Sequence, residues 1–258
     1  MLSLEKIKGF LCKELQAIDV KVFDEVISTN TLLKEKGKTS DEFTTVIASA
    51  QTGGRGRLGR SFYSPKESGV YFSVLLKPDL EIEKAVLITS AAAVAVTRVL
   101  ENLGCENPQI KWVNDIFVNG KKVCGILTES VINTETKKLD FAVLGVGINL
   151  VKSKEAFPEE LQNIAGTVFE TPLPYLKEKF VGAFLNEFYR IYLNLSDAKF
   201  MDDYRKKCFC LGKEVSVISG DKIRVGKALS IDENARLEVE FSDDTTEFIN
   251  SGEISIKM

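Results

Sequence analysis

The stretch QTGGRGRLGR, residues 51–60, contributes most to the prediction of the fold and of the functional site. It holds four glycines and three arginines, and it separates two apolar runs, residues 43–50 and 69–77, which predict strands. Glycine lets backbone amides approach a ligand, and arginine offers donors that suit phosphate and carboxylate. We call this stretch the Arg/Gly loop and expect a mobile, cationic loop at the mouth of a sheet.

Such a loop is, by itself, more typical of a solvated turn or a nonspecific nucleic-acid contact than of an active site. The surrounding sequence therefore decides its interpretation. Apolar spacing predicts helices and strands in a mixed arrangement. A strand is expected at 20–26, a hairpin turn at Asn119-Gly120 and a strand at 139–150, and helices are expected at 3–17, 29–36, 83–103, 175–195 and 201–208.

The hydrophobic pattern of the sequence changes after Gly212. Short alternating apolar runs are separated by turn residues at 219–221, 232–234, 243–244 and 251–252, which predicts a small all-β barrel. The chain is thus expected to be an α+β protein with two parts, a larger domain over residues 1–210 and a small β domain over residues 211–258.

Composition excludes several classes of protein. The chain has 34 basic and 37 acidic residues, a formal net charge of −3, whereas a large nucleic-acid footprint needs a basic excess. No apolar run reaches the roughly 20 residues that span a bilayer. The N-terminal residues do not resemble a signal peptide. We therefore expect a cytoplasmic protein with no DNA or membrane partner.

The absence of histidine narrows the chemistry further. It excludes Ser-His-Asp and Cys-His catalysis and every His-ligated metal site. The five cysteines are odd in number and scattered, so they imply no disulfide framework. Cys208 and Cys210 have no second cysteine pair with which to complete a zinc site. Any catalysis must use lysine, arginine, carboxylates, cysteine, backbone donors or a metal held by carboxylates and substrate.

Four segments share the order and spacing of one known family. They are STN at 28–30, the Arg/Gly loop, KWVND at 111–115 and KKVCGILTE at 121–129, and GVGIN at 145–149 follows them. With the terminal β domain behind them, they resemble the biotin protein ligase family over nearly the whole chain. The resemblance implies a class II synthetase-like catalytic domain with a mixed sheet, and an SH3-like C-terminal barrel.

The resemblance also implies an activity. Biotin and MgATP would give biotinyl-5′-AMP, and the biotinyl group would then pass to a lysine of a biotin carboxyl carrier domain. Both substrates of the first step are anions, so the step needs positioning and charge neutralisation. The 27 residues before Ser28 are too few for a winged helix-turn-helix, so the chain resembles the short members without a DNA-binding domain. A homodimer is left open.

Site residues are carried over from the family motifs. Catalytic roles fall on Lys122, Arg55 and Asp115, and Asp115 is also the candidate carboxylate near Mg²⁺, which would be held through the substrate phosphates. Biotin-binding positions are Ser28, Thr29, Asn30, Gln51, Gly54, Arg55, Gly56, Arg57, Lys122 and Gly125. Positions for ATP and the adenylate are Arg55, Arg57, Phe62, Lys111, Trp112, Asn114 and Asn149.

Two residues depart from the family pattern. Val113 stands where the family usually has proline, and Phe62 stands where it usually has a tryptophan that stacks on adenine. Lys121, next to Lys122, is expected to be solvated. Trp112 is expected to pack in the core against the ligand.

Three alternative functions remain open at this stage. A lipoate ligase or octanoyl transferase would share the catalytic fold, although those families show different lysine and histidine patterns. The chain could also be a biotin or nucleotide sensor without activity. A nucleic-acid-binding role would rest on the arginines of the Arg/Gly loop alone.

Overall fold

The computed structural model describes residues 2–153, 156–219, 222–250 and 253–256. Its helices are α1 (Leu4–Gly9), α2 (Thr29–Glu35), α3 (Val86–Asn102), α4 (Leu176–Tyr192) and α5 (Met201–Lys207). The strands of the larger part are β1 (Val20–Val26), β2 (Thr45–Gln51), β3 (Gly69–Leu76), β4 (Gln109–Lys111), β5 (Asp115–Val118), β6 (Lys121–Asn133) and β7 (Lys138–Asn149). Those of the C-terminal part are β8 (Glu214–Ser219), β9 (Lys222–Ile231), β10 (Leu237–Phe241), β11 (Thr246–Ile249) and β12 (Glu253–Ile256).

A seven-stranded mixed sheet forms the larger part, in the order β1-β2-β3-β7-β6-β5-β4. The β1–β2 pair is parallel and the other neighbours are antiparallel. Successive side chains of a strand face opposite sides of the sheet, so Ile47 joins the large core with α3 and α4 while Val46 packs with Leu33 of α2. This arrangement confirms the predicted α+β class.

Local sequence signals explain where several elements begin and turn. Ser28 caps α2 by accepting a hydrogen bond from the Thr31 amide. Asn119 and Gly120 both have positive φ, at 50° and 73°, as a two-residue hairpin turn between twisted strands requires. That hairpin places β5 directly beside the start of β6, and two of the predicted catalytic residues, Asp115 and Lys122, lie on these strands.

The predicted helix over residues 3–17 is wrong in its length. Helix α1 ends at Gly9, and only a 3₁₀ turn at Lys13–Leu15 follows. Asn186 of α4 accepts a hydrogen bond from the Cys12 amide at 2.8 Å and donates one to the Phe10 carbonyl at 2.8 Å. These bonds from another helix satisfy the backbone where the chain turns, and they are invisible to local periodicity.

The C-terminal strands form an antiparallel sheet in the order β11-β10-β9-β8-β12. The strands confirm the predicted β domain, but no pairing between β11 and β12 closes a barrel among the described residues. Of the predicted turns, residues 220–221 and 251–252 lie outside those residues. The boundary between residues 210 and 211 falls between α5 and β8 and stays a prediction.

The two sheets share one apolar core. Val215, Val239 and Ile254 belong to the same buried cluster as the core of the larger part. Trp112 joins the two parts directly, because its indole N–H donates to the Ala235 carbonyl at 2.9 Å. The peptide bond from Trp112 to Val113 is cis. Within the described part of the chain, no helix is long and apolar enough to cross a membrane.

Candidate active site

The predicted site residues converge on one cavity between the Arg/Gly loop and the sheet. Its volume is about 120 Å³, and an adjacent cavity has a volume of about 730 Å³. Fourteen of the sixteen predicted positions line the first cavity: Ser28, Thr29, Asn30, Gln51, Arg55, Gly56, Arg57, Phe62, Lys111, Trp112, Asn114, Asp115, Lys122 and Gly125. The other two, Gly54 and Asn149, line the second cavity.

The Arg/Gly loop is folded back on itself above the first cavity. The Gly53 amide donates to the Ile27 carbonyl at 2.8 Å, and the Gly56 amide donates to the Arg60 carbonyl at 2.7 Å. Leu58 and Gly59 adopt positive φ at the tip, and the Leu58 side chain is 72% exposed. Backbone hydrogen bonds therefore close the loop at its base and across its tip.

Three glycines on neighbouring strands form the floor of the first cavity: Gly125 on β6, and Gly145 and Gly147 on β7. An ideal Cβ on Gly145 would lie 2.1 Å from Oδ1 of Asn30, and one on Gly147 would lie 2.7 Å from the ring of Phe62. Of the three, only Gly125 was predicted from the sequence. The available signal for the other two was a Gly-x-Gly in an otherwise apolar strand, since glycine there marks a close approach.

The ring of Phe62, a predicted adenylate-binding residue, packs closely against the glycines of the floor. Its edge lies 2.9 Å from an ideal Cβ on Gly125, and its ring meets that of Tyr71 edge-on with centroids 6.3 Å apart. Phe62 lines both cavities. The ring therefore lies on the floor at the boundary between the cavities.

A continuous hydrogen-bonded network holds the polar groups around the floor. The Ser73 hydroxyl lies 2.6 Å from Oδ1 of Asn30 and 2.7 Å from Oγ1 of Thr29. The backbone amide of Thr29 donates to Oε1 of Gln51 at 2.9 Å, and Nε2 of Gln51 donates to Oγ of Ser64 at 3.1 Å. Ser73 is fully buried. The network fixes the side-chain orientations before any ligand arrives.

Glu129 continues this network at its other end. It accepts a hydrogen bond from Nδ2 of Asn30 at 3.0 Å and forms ion pairs with Lys34 at 3.2 Å and with Arg55 at 3.3 Å. Ser73, Ser64 and Glu129 were not predicted from the sequence. Only Ser73 had a clear signal, because it is a serine inside the apolar run of β3.

The cationic end of the cavity lies on the β5–β6 hairpin. Nζ of Lys122 is 2.7 Å from Oδ1 of Asp115, and both side chains are mostly buried. Nη1 of Arg57 donates to Oδ1 of Asn114 at 3.2 Å, and Nδ2 of Asn114 donates to the Ile126 carbonyl at 2.8 Å. No group of three side chains that could together hold a metal ion occurs within the described ranges.

A second segment, residues 157–166, covers the larger cavity, and we call it the covering segment. It pairs with the backbone of Lys122, whose amide donates to the Ile164 carbonyl at 2.8 Å and whose carbonyl accepts from the Gly166 amide at 2.9 Å. Asn149 is buried in the wall of this cavity, and its Oδ1 has no hydrogen-bond partner among the described residues.

Lys121 is partly exposed, in keeping with the expectation that it is solvated, but its ammonium group also has protein partners. Its ammonium group donates to the carbonyls of Gln162 at 3.2 Å and of Asn163 at 2.7 Å. An ideal Cβ on Gly166 would lie 2.6 Å from its Cβ. The side chain thus ties the covering segment to the start of β6, because three ammonium donors can serve adjacent carbonyls at a turn.

Comparison with known proteins identifies the family. The profile described as the Biotin/lipoate A/B protein ligase family matches residues 22–149, and the profile described as the Biotin protein ligase C terminal domain matches residues 210–257. The chain belongs to the biotin protein ligase family. The two matches cover both sheets and every predicted site residue.

Solved structures agree with this family. The biotin protein ligase from Aquifex aeolicus in complex with biotin and ATP is similar at a TM-score of 0.74, with 28% sequence identity over 93% of this chain and 98% of that one. The mixed sheet and the C-terminal sheet are therefore those of a biotin protein ligase.

Two named relatives are similar over shorter stretches. The bifunctional ligase/repressor BirA of Bacillus spizizenii is 38% identical over 146 residues, which is 56% of this chain and 44% of that protein. The biotin–[acetyl-CoA-carboxylase] ligase of Mycobacterium tuberculosis is 28% identical over 199 residues, which is 74% of this chain and 71% of that protein. The chain thus matches less than half the length of the first of these relatives.

Proposed function

We propose that the chain is an ATP-dependent biotin protein ligase. The biotin carboxylate attacks the α-phosphate of ATP, giving biotinyl-5′-AMP and pyrophosphate. The ε-amine of a lysine on a biotin carboxyl carrier domain then attacks the acyl carbon, forming an amide and releasing AMP. The observation that carries this proposal is the position of Lys122, which lines both cavities. A carboxylate in one cavity and a phosphate in the other would meet at its ammonium group.

The first cavity suits the ureido ring and apolar tail of biotin. A neutral urea both donates and accepts hydrogen bonds. Ser28 accepts from the Thr31 amide and keeps its own proton to donate, while Gln51 is oriented by Thr29 and Ser64. Both amide hydrogens of Asn30 face Glu129 and the Leu127 carbonyl, so Asn30 offers a ligand only its acceptor. The glycine floor leaves room for a flat ring and chain.

The second cavity suits the adenosine part of ATP. The unpaired Oδ1 of buried Asn149 can accept a hydrogen bond from an exocyclic amine. Phe62 and Phe157 supply aromatic walls, and Phe62 contributes less stacking area than a tryptophan would. Arg57 and Lys111 line the first cavity with Lys122 and would neutralise the phosphates where the two cavities meet, while Asn114 accepts a hydrogen bond from Arg57 and orients it.

The residues present fit a Mg²⁺ ion bound mainly by phosphate. Mg²⁺ is usually held by one or two carboxylates together with substrate phosphates and water, and Asp115 is the carboxylate that lines the first cavity. Its pairing with Lys122 leaves it suited to orient that ammonium group as well. When bound, the ion would neutralise phosphate charge.

Retention of the adenylate is the second requirement of this function, because the mixed anhydride hydrolyses in water. The Arg/Gly loop lines one side of the first cavity, and the covering segment lines one side of the second. Together they can exclude water from the reacting atoms and hold the intermediate until the carrier lysine arrives.

Location and assembly complete the proposal. All five cysteines are free thiols, which suits the reducing cytoplasm. Among the strands that the structure describes, β6 pairs with β5 only as far as Gly125, and its remaining length pairs with β7 on one side. Beyond Ile126, whose amide donates to the Asn114 carbonyl, this edge pairs with no strand that the structure describes, and a second copy pairing there would extend the sheet into a homodimer.

The test is reconstitution. The chain is mixed with biotin, MgATP and a biotin carrier domain, and the carrier lysine is analysed by mass spectrometry. We expect one biotinyl group per carrier, release of pyrophosphate, and no product when lipoate replaces biotin. Transfer of lipoate would support the runner-up activity, and binding of biotin without pyrophosphate release would support a sensor.

A further inference from the structure

Glu129 has no part in the reaction described above, yet its carboxylate joins three polar groups around the first cavity. One oxygen, Oε2, accepts from Asn30 on the floor. The other, Oε1, is shared by Lys34 of α2 and Arg55 of the Arg/Gly loop. The Glu129 side chain is 13% exposed, whereas that of Arg55 is 51% exposed. A nearly buried group on a strand therefore holds an exposed group on a loop.

The carboxylate is charged under ordinary conditions. Burial alone would raise the pKa of Glu129, but hydrogen bonds from Asn30 and Lys34 and the charges of Lys34 and Arg55 bring it below its usual value. Lys34 and Arg55 share this single negative charge.

We propose that Glu129 is a positioning residue that fastens the Arg/Gly loop to the floor of the first cavity through Arg55. This proposal rests on the proposed function only where it concerns retention of the adenylate. The Arg55–Glu129 pair is the latch.

Other contacts hold other parts of the loop. The base of the loop is held at Ile27 by the Gly53 amide, and Arg57 reaches Asn114 on the side of β5. Arg55 reaches the side of β6 where Asn30 lies, because both share Glu129. Removing the latch would free that side of the loop without disturbing its base.

Glu129 performs two tasks: it orients Asn30 on the floor, and through the latch it restrains the Arg/Gly loop. The same carboxylate that orients Asn30 restrains the loop, so a floor in its ordered arrangement favours a closed loop. An uncharged group of the same shape should separate these tasks. In the Glu129→Gln variant the side-chain carbonyl can still accept from Asn30, but the amide carries no charge with which to pair with Arg55.

The experiment compares the wild type with Glu129→Gln, Arg55→Ala and the double variant. Glu135→Gln is the matched control, because Glu135 is an exposed carboxylate beyond the end of β6. Biotin affinity is measured by calorimetry, and escape of preformed biotinyl-5′-AMP is measured by rapid filtration. For Glu129→Gln we expect biotin affinity within about threefold of wild type and escape faster by about two- to fivefold, the upper part of the range for a partly exposed ion pair.

Two further results identify the latch rather than a general loss of structure. The double variant should release the adenylate no faster than Arg55→Ala alone, because Glu129 acts on the loop only through Arg55. Added salt should accelerate escape from the wild type more steeply than escape from Glu129→Gln, because screening weakens the Arg55–Glu129 pair only where the carboxylate is charged. Additive effects, or escape at the wild-type rate, would overturn the proposal.

A measurement without ligand separates this proposal from the proposed function. Trypsin should cleave after Arg57 and Arg60 faster in Glu129→Gln than in wild type or Glu135→Gln. Equal melting temperatures of wild type and Glu135→Gln at neutral pH would show that the control variant is folded normally. If the wild type forms no adenylate, the proposed function fails while this comparison still decides the latch. Equal cleavage rates would show that Glu129 does not restrain the loop.

Discussion

The floor of the first cavity and the Arg/Gly loop above it carry neighbouring site residues but are held in different ways. The floor consists of strand glycines and a buried hydrogen-bond network in which Ser73 is 0% exposed. The loop is held by backbone bonds at its base and tip and by ion pairs of exposed arginines, with the Arg55 side chain 51% exposed. Recognition is thus built into a preorganised surface, and enclosure depends on contacts weak enough to open.

The largest effect is expected where these two regions meet. Lys122→Ala should slow adenylate synthesis about a hundredfold, because a charge-assisted contact at the reacting centre is worth roughly 3 kcal/mol. Pyrophosphate release in a single turnover measures this. Lys213→Ala, a lysine near the start of β8, is the control. Equal rates for the two variants would remove Lys122 from the reaction.

The next largest effect is expected from a substitution that disrupts only the floor of the first cavity. Gly145→Ala would place a methyl group 2.1 Å from Oδ1 of Asn30, and Asn30 cannot move without losing its bonds to Ser73 and Glu129. Biotin affinity should fall by about thirtyfold, since overpacking costs ~2 kcal/mol. Gly9→Ala, with nothing within 4 Å of its new Cβ, should bind biotin normally. Calorimetry that finds normal affinity for Gly145→Ala would show that the floor adapts.

A milder change tests the network under the floor. Ser73→Ala removes the hydroxyl between Asn30 and Thr29 and leaves buried acceptors with fewer partners. Biotin affinity should weaken by about fivefold, for a cost of ~1 kcal/mol, and the trypsin sensitivity of the loop should not change. A change in loop cleavage with unchanged biotin affinity would reverse the division of roles.

The covering segment gives a smaller effect on the nucleotide side. Lys121→Ala removes two hydrogen bonds to carbonyls of this segment. The KM for ATP should rise about threefold, because partly exposed hydrogen bonds contribute ~0.5–1 kcal/mol, while the biotin dissociation constant stays the same. Lys121→Arg should restore much of the KM. A change in biotin affinity instead would place the segment over the wrong substrate.

The smallest effect concerns acidity. Because the pKa of Glu129 is lowered in the folded protein, its stabilising contribution is complete above its ordinary pKa and is lost as pH falls through the lowered value. The melting temperatures of wild type and Glu129→Gln should therefore differ by a constant amount at neutral pH and converge in acid. A difference that changes between about pH 6 and 8 would point to another group, because a carboxyl with a lowered pKa is fully ionised there.

The sequence predicted the family, the mixed sheet and most of the residues around the first cavity. Motif residues are contiguous, and glycine, arginine and lysine in one short stretch indicate anion binding without knowledge of the fold. Ser73 lies outside the motifs, and Gly145 and Glu129 lie inside motif segments but received no role. All three were missed because their partners come from other strands and helices. Helix α1 ended early for the same reason, since its end is fixed by Asn186 of α4.

Lys122, at the junction of the two cavities, is the residue on which the proposed reaction depends. The most direct measurement is a crystal structure with a non-hydrolysable analogue of biotinyl-5′-AMP. We expect the ureido ring above the glycine floor, the adenine beside Asn149, and Nζ of Lys122 within hydrogen-bonding distance of the oxygens that link them. An analogue bound with its acyl-phosphate group away from Lys122, or lying wholly within one cavity, would contradict this mechanism.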